Sequence, residues 1–341
     1  MRVVATKFIN ICREGRGQKQ TQKNKKRSHQ LAFASAATVR NPIVLPLDNR
    51  PLYSPPVPKP APLFICGPTA SGKTALSLEQ AANLDGEVVN ADAFQLYQGL
   101  ETLAASPTAA EQASVPHHLF SCVSLDEKMD AARYHQLATP VITEIQSRGK
   151  TPIVVGGSGL YLKFLTHGPS PAPPGDEMIR AKLNHLSLEE IIAQLTELDP
   201  TEAAKQTKQN AQNRRHLSRA LEICLVTGQP ASTFRQNFAQ PTPMDLRGFV
   251  LTWPRPLLAE RIEKRTLLML KNGALDEVAN LPPAATTARQ AIGITEIEAH
   301  LRGDLSLEET IDKIATATRR YAKRQQNWFR KEAWLTPVPC P

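Results

Sequence analysis

Paired cysteines are missing from this sequence. Its five cysteines, Cys12, Cys66, Cys122, Cys224 and Cys340, are scattered, with no C-x-x-C among them. That spacing excludes a disulfide framework and the common zinc patterns, and it favours a reducing compartment such as the cytoplasm. No apolar run approaches the roughly 18 residues that would signal a membrane span, and no secretory apolar segment stands out. Acidic residues are nearly absent from one region. Residues 1–60 hold 12 of the 41 Lys and Arg but 2 of the 32 Asp and Glu, leaving 29 basic and 30 acidic residues for the rest. The net charge of +9 therefore belongs to the first sixty residues. It does not by itself make the folded body a nucleic-acid binder.

Those sixty residues join a basic polar stretch to a proline-rich one ending Pro55-Pro56-Val57-Pro58-Lys59-Pro60. Such composition rarely packs, so a disordered tail is expected over 1–60. Its shortage of acids also suits a mitochondrial or plastid transit peptide, and a misassigned start codon would look the same.

The densest signal follows. The apolar run Leu63-Phe64-Ile65-Cys66 leads into Gly67-Pro68-Thr69-Ala70-Ser71-Gly72-Lys73-Thr74 and then a helical pattern from Ala75. This is G-x-x-x-x-G-K-[ST] in its strand–turn–helix setting. Its glycines let backbone N–H groups wrap phosphate oxygens at a helix N-terminus, Lys73 adds a positive charge, and the Thr74 hydroxyl is suited to Mg²⁺. A nucleoside triphosphate is the default guest of such a loop.

The remaining pattern predicts an α/β fold. A P-loop NTPase-like core, a parallel sheet flanked by helices, would be interrupted by a small helical insertion domain. The expected boundaries are 61–175 for the first part of the core, 176–240 for the insertion and 241–335 for the second part. Residues 86–92 read as a strand closing on Asp92, which in an open α/β sheet faces the same cleft as Lys73. The plainer reading of Asp92 is a helix N-cap. Adjacent His117 and His118 would point apart on any regular element, so a loop contact is expected of them and a metal pair is not. Residues 131–148 read as a helix and 151–155 as a buried strand, closing on a second glycine turn at 156–161. Residues 246–253 predict another strand and 257–271 a helix. The last helix starts at Ser306 with a capping box to Glu309. Ile311, Ile314, Ala315, Thr318, Ala322, Gln325 and Phe329 share one of its faces. Residues 311–332 hold 7 basic and 2 acidic groups with Tyr321 and Trp328 interleaved, a pattern that suits either a solvated face or an RNA backbone.

Taken together, the motifs resemble the tRNA dimethylallyltransferases, also called tRNA isopentenyltransferases. The likeness runs from about Pro62 to Lys331. It rests on 67–74, on Asn90-Ala91-Asp92 with Gln95 and Tyr97, on 115–118, and on 149–161. Later landmarks are Arg219-Ala220-Leu221-Glu222, Ala291-Ile292-Gly293 and 318–330. The resemblance implies transfer of a dimethylallyl group from its diphosphate to the exocyclic amino group of the adenosine just 3′ of the anticodon. Asp92, Lys73 and Ser158 would be catalytic, with Mg²⁺ at Thr74, and Gly67 to Thr74 would hold the diphosphate as a leaving group. The anticodon stem-loop of tRNA would meet Asp92, Ala93, Phe94, Gln95, Ser158 and Arg180. It would also meet Arg215, His216, Leu217, Ser218 and Arg219, and then Gln290, Ala291, Ile292, Gly293, Ile294 and Thr295. The final contact segment would be Lys323, Arg324, Gln325, Gln326, Asn327, Trp328, Phe329 and Arg330. A monomer is expected, with no membrane partner.

The sequence departs from the family pattern at Ala93, at Leu103-Ala104-Ala105-Ser106, at Ser158 (where Thr is usual), and at His216, Ile294 and Asn327. Three alternatives stay open on the sequence alone: a small-molecule kinase, prenyl transfer to free adenine nucleotides, and a non-catalytic RNA-binding homologue.

Overall fold

The computed structural model describes residues 59–210, 213–238, 246–283 and 287–340. The expected tail, up to position 58, lies outside the described residues. The strands are β1 (Leu63–Cys66), β2 (Gly86–Asn90), β3 (His117–His118), β4 (Thr151–Gly156), β5 (Arg247–Thr252) and β6 (Leu335–Pro339). They form one sheet ordered β3-β2-β4-β1-β5-β6, and every pairing is parallel. Central parallel strands are covered on both faces and so carry continuous apolar runs. β1, with all four residues buried, and the Ile153-Val154-Val155 run of β4 follow that rule.

The chain leaves β1, forms α1 (Lys73–Asn83), and returns as β2, with β4 filling the place between β2 and β1. The carboxyl ends of these three strands therefore lie side by side, the place where open α/β sheets bind ligands. α2 (Ala109–Ser114) precedes β3, α3 (Ala131–Ser147) precedes β4, and α4 (Gly159–His167) follows it. The Asp130 side chain caps α3 by accepting from Arg133 N at 2.9 Å. Tyr134 of α3 stacks on Tyr161 of α4, with centroids 4.2 Å apart.

Between α4 and β5 the chain is helical: α5 (Glu177–His185), α6 (Leu188–Leu198), α7 (Pro200–Asn210), α8 (Arg214–Thr227) and α9 (Ala231–Asn237). Their apolar faces meet in a core of their own, built from Leu183, Ile191, Leu195, Leu217, Leu221 and Cys224. The main core gathers Phe64, Val89, Val154, Tyr134 and Leu162 with residues from the C-terminal helices.

After β5 come α10 (Arg255–Met269), α11 (Leu275–Ala279), α12 (Ile294–Leu301) and α13 (Leu307–Phe329). The helix expected over 257–271 is α10, which runs into a kink where Asn272 and Gly273 leave helical geometry. Gly273 there takes φ of 105°, a conformation open to glycine, and the chain turns before α11 begins. α13 starts on the expected capping box between Ser306 and Glu309. It buries Ile314, Ala315, Ala322, Gln325 and Phe329 and leaves Ile311 and Thr318 half-buried. β3 and β6 were not expected. One is two residues long, and the other carries Pro337 and Pro339, which read as turn residues in sequence and are tolerated at a sheet edge. No helix among the described residues is long and apolar enough to cross a membrane.

Candidate active site

The glycine-rich loop between β1 and α1 is held from outside. Gly72 sits at φ 90° immediately before the helix, turning the backbone so that the first N–H groups of α1 open onto a cavity. Ala70 also has positive φ, 62°, a strained conformation for a residue with a side chain, costing about 1–3 kcal/mol. Neighbouring side chains fix it there. Arg261 Nε donates to Ala70 O at 2.7 Å, and Trp253 Nε1 donates to Ser71 O at 2.9 Å. The Arg261 guanidinium lies 4.4 Å from the Trp253 ring. Arg265 donates to Thr69 Oγ1 at 2.8 Å, and Thr69 N donates to Gln325 Oε1 at 2.8 Å.

Lys73 Nζ donates to Pro68 O at 2.9 Å. Burial pushes this ammonium down to about 8, with Asp92 opposing and Arg265 adding to the fall. Lys73 and Arg265 therefore share one field with Asp92, which favours the charged form of each.

Asp92 stands two residues past the end of β2, on a loop fixed by side chains. Asn90 Oδ1 accepts from Asp92 N at 2.8 Å, and Asn90 Nδ2 donates to Leu119 O at 2.8 Å. Asp92 Oδ1 accepts from Phe94 N at 3.2 Å. Across the cleft, Ser158 Oγ accepts from Ala93 N at 2.9 Å, and Ser158 N donates to Ala91 O at 3.2 Å. The second glycine turn thus grips the acid's loop directly. A Cβ on Gly156 would overlap the Ala91 carbonyl.

Two cavities meet at this point. The larger, about 380 Å³, is lined by Lys73, Thr74, Asp92, Arg261, Lys264 and Arg265 among others. Its wall includes Ser71 and His117, whose Oγ and Nε2 are buried with no hydrogen-bond partner. His117 Nδ1 lies 2.8 Å from Val115 O. A carbonyl only accepts, so Nδ1 carries the proton, and Nε2 is the acceptor of a ring whose pKa burial pushes down. His118, on the other face of β3, pairs with Glu87 at 2.7 Å, so the two histidines do point apart. The smaller cavity, about 70 Å³, is mainly apolar, with Phe94, Met269, Ile292, Ile314 and Tyr321 in its wall. Thr69, Asp92, Ala104 and Arg265 line both cavities. Asp92 thus faces a cationic space on one side and an apolar one on the other.

The donors around the larger cavity suit a hard divalent cation. The Thr74 hydroxyl is an oxygen donor that faces this space, and Mg²⁺ takes few protein ligands beside substrate phosphates and water. Among the described residues no group of three or more His, Cys, Asp or Glu is placed to hold a metal.

The structure brings together Gly67 to Thr74, Asp92 and Ser158 but spreads the residues expected to meet RNA. Gln95 Nε2 donates to the Ala104 and Ala105 carbonyls at 3.2 and 2.9 Å. Backbone groups thus give the departing 103–106 segment a part in the wall. Arg180 and Arg219 pair with the buried Glu222 at 2.8 and 2.6 Å, while Arg215 and His216 are exposed. Gln290 and Thr295 are exposed as well. Ser218, Gln326 and Trp328 are half-buried, and Lys323, Arg324, Asn327 and Arg330 are exposed. Leu217, Ala291, Ile294, Gln325 and Phe329 are buried, with their side chains turned away from solvent. Arg261, Arg265 and Trp253 are the residues that sequence reasoning missed, and Tyr321, expected only as part of the basic aromatic run, lines the smaller cavity. A faint signal existed for three cations, since Arg261, Lys264 and Arg265 fall on one helical face at i, i+3 and i+4.

A family profile described as IPP transferase matches residues 95–332, a span that begins after the phosphate loop and Asp92. The tRNA dimethylallyltransferase of Akkermansia muciniphila is 43% identical over 278 residues, covering 82% of this chain and 93% of that protein. The one from Geobacter metallireducens is 39% identical over 289 residues, covering 82% and 92%. Among solved structures, the full-length tRNA isopentenylpyrophosphate transferase of Bacillus halodurans superposes with a TM-score of 0.60 at 35% identity. It covers 82% of this chain and 90% of its own. A eukaryotic dimethylallyltransferase acting on tRNA gives a TM-score of 0.67 at 27% identity, covering 82% and 74%.

Proposed function

The chain belongs to the IPP transferase family, and from that premise we propose that it moves a dimethylallyl group from dimethylallyl diphosphate onto tRNA. The acceptor is the exocyclic amino group of the adenosine 3′-adjacent to the anticodon. The observation that carries this reading is Asp92, one carboxylate shared by a cation-lined cavity and an apolar one.

The reaction divides in the same way. The allylic carbon–oxygen bond breaks and its electron pair leaves on the diphosphate; the amino nitrogen bonds to the allylic carbon and sheds a proton. The loop N–H groups, Lys73 and Arg265 receive the negative charge that develops on the leaving oxygen, the position at which preorganised donors accelerate a reaction. Arg261 and Trp253 keep the loop in the shape that presents them. Thr74 would hold Mg²⁺ beside the diphosphate, where the ion neutralises leaving-group charge. Asp92 accepts a hydrogen bond from the amino group, orients its nitrogen and takes up the proton. Ser158 acts through the Ala93 N–H, fixing the acid's loop. The apolar cavity receives the base, which must leave its stack at a cost of a few kcal/mol. Its Met269, Ile292 and Ile314 walls limit water near the allylic carbon.

Lys323, Arg324 and Arg330, with Arg215, Gln290 and Thr295, would meet the anticodon stem-loop, the arginine and lysine side chains chiefly through phosphates. We read the helices between Glu177 and Asn237 as an insertion domain that extends this surface. The enzyme is read as a cytoplasmic monomer, because one chain lines both cavities and its cysteines are scattered. Incubation with unmodified tRNA, dimethylallyl diphosphate and Mg²⁺ should give isopentenyladenosine on nucleoside mass spectrometry. Absence of product with cognate tRNA, or preferential transfer to AMP, would overturn the reading.

A further inference from the structure

The outer face of α13 is cationic, and its inner face does something else. Gln325 lies on that inner face, 4% exposed, pointing away from Lys323, Arg324 and Asn327, as helical periodicity requires. Its carboxamide makes two long-range bonds. Oε1 accepts from Thr69 N of the phosphate loop at 2.8 Å, and Nε2 donates to Gly157 O of the second glycine turn at 3.0 Å. A backbone N–H only donates and a carbonyl only accepts, so the amide fits in one orientation, and flipping it loses both bonds. The approach also needs Gly157, because a Cβ there would overlap Gln325 Nε2.

Neighbours on the same helical face continue the pattern. Tyr321, one turn earlier, stands beside the Ser158 and Gln325 side chains, and Trp328 packs so closely on Gly159 that a Cβ would overlap its ring. Residues at i, i+4 and i+7 of α13 thus meet three successive residues of the turn that braces Asp92's loop. Of the three, Gln325 is the one that also hydrogen-bonds to the phosphate loop.

We propose that Gln325 is a positioning residue for the diphosphate donor, tying the phosphate loop to the second glycine turn, and that it is not an RNA contact. The inference rests on the reading of the larger cavity as the dimethylallyl diphosphate site. The Thr69 N–H is spent on Gln325, so its part is to set the loop's shape while other N–H groups face the ligand.

The test measures two affinities on the full-length protein: dimethylallyl diphosphate with Mg²⁺ by calorimetry, and an unmodified anticodon stem-loop by fluorescence anisotropy. Gln325→Met keeps the side chain's length and removes both hydrogen bonds. Gly157→Ala leaves α13 untouched and displaces the amide by its Cβ. Each should weaken donor binding by about tenfold, the scale expected for loss of a buried hydrogen-bond pair. RNA affinity should stay within about twofold. In turnover, KM for the donor should rise while KM for tRNA holds. The double variant should lose little beyond either single one, because both break the same link. Loss of RNA affinity with donor affinity intact would overturn the proposal. So would unchanged donor binding in Gln325→Met, or a parallel fall in both affinities together with the thermal midpoint, the pattern of a general folding defect. Failure of the wild type itself to bind dimethylallyl diphosphate would overturn the reading of the cavity and the inference with it. A wild type that binds beside an indifferent variant overturns the inference alone.

Discussion

The two glycine turns at the carboxyl ends of β1 and β4 look alike in sequence and use glycine for opposite reasons. The first needs conformational freedom: Gly72 adopts φ of 90° and opens backbone N–H groups onto the cavity, and a Cβ added there meets nothing closer than Arg261 at 3.6 Å. The second needs space. Gly156, Gly157 and Gly159 let Ala91, Gln325 and Trp328 approach closely, and none of the three lies in the left-handed region. One turn is shaped to receive an anion, and the other is shaped to receive protein. The comparison separates the glycines whose loss should cost ligand from those whose loss should cost packing.

The largest effect expected is on the acid that the second turn braces. Asp92→Asn should lower kcat by about 10²–10⁴-fold, the usual worth of a general base, while donor affinity changes little. Single-turnover prenylation beside calorimetry checks it, and an equal loss of donor binding would move Asp92 to the diphosphate side. Next come the glycines themselves. Gly159→Ala should destabilise the fold by about 1–3 kcal/mol through overpacking against Trp328, read as a lower thermal midpoint. Gly72→Ala should show its main loss in diphosphate affinity, with a strain cost to stability of about 1 kcal/mol. If both substitutions act on stability alone, the contrast between the turns fails.

A pH series sharpens the first turn. Burial holds Lys73 down at about 8, and only its charged form grips a diphosphate. Donor affinity should be full below that pH and fall above it, by up to about tenfold per unit, until the higher pKa of the bound state is passed. Binding between these limits takes up a proton, visible as a buffer-dependent enthalpy; a flat profile to pH 9.5 would remove Lys73 from the grip. The smallest effect is expected at Ser158→Ala, which leaves Ala93 N–H without its acceptor. A loss of about 0.5–1.5 kcal/mol, seen as a few-fold change in kcat, is the scale of one such bond.

The phosphate loop was legible because its chemistry is local: strand, turn, lysine and helix lie within a dozen residues. Asp92 was legible for the same reason, as the acid just beyond an apolar strand. What holds these parts in register was not, because the partners are far apart in the chain. Arg265 reaches Thr69 across 196 positions and Gln325 reaches it across 256. Gln325 is the instructive case. Its basic neighbours and the family pattern assigned it to RNA, yet its spacing had already put it on the face of Ile314 and Phe329. The periodicity anticipates its burial. Residues 291 and 294 repeat the lesson in reverse, since their apolar side chains are buried within a segment expected to touch RNA. The two edge strands escaped notice because a two-residue strand has no period and a strand holding prolines resembles a loop.

Those prolines carry one more consequence. Pro337 and Pro339 stand opposite Val250 and Thr252 in the β5–β6 pairing. They share one parity, so the N–H groups of β6 that can serve β5 are those of Thr336 and Val338, and the prolines' missing donors fall on the outward rim. The opposite rim, β3, is two residues long. A stray strand from another molecule, or from this chain while it folds, finds little ladder to join at either side. The sheet is sealed against growth, without a barrel's closure, by prolines on one margin and brevity on the other.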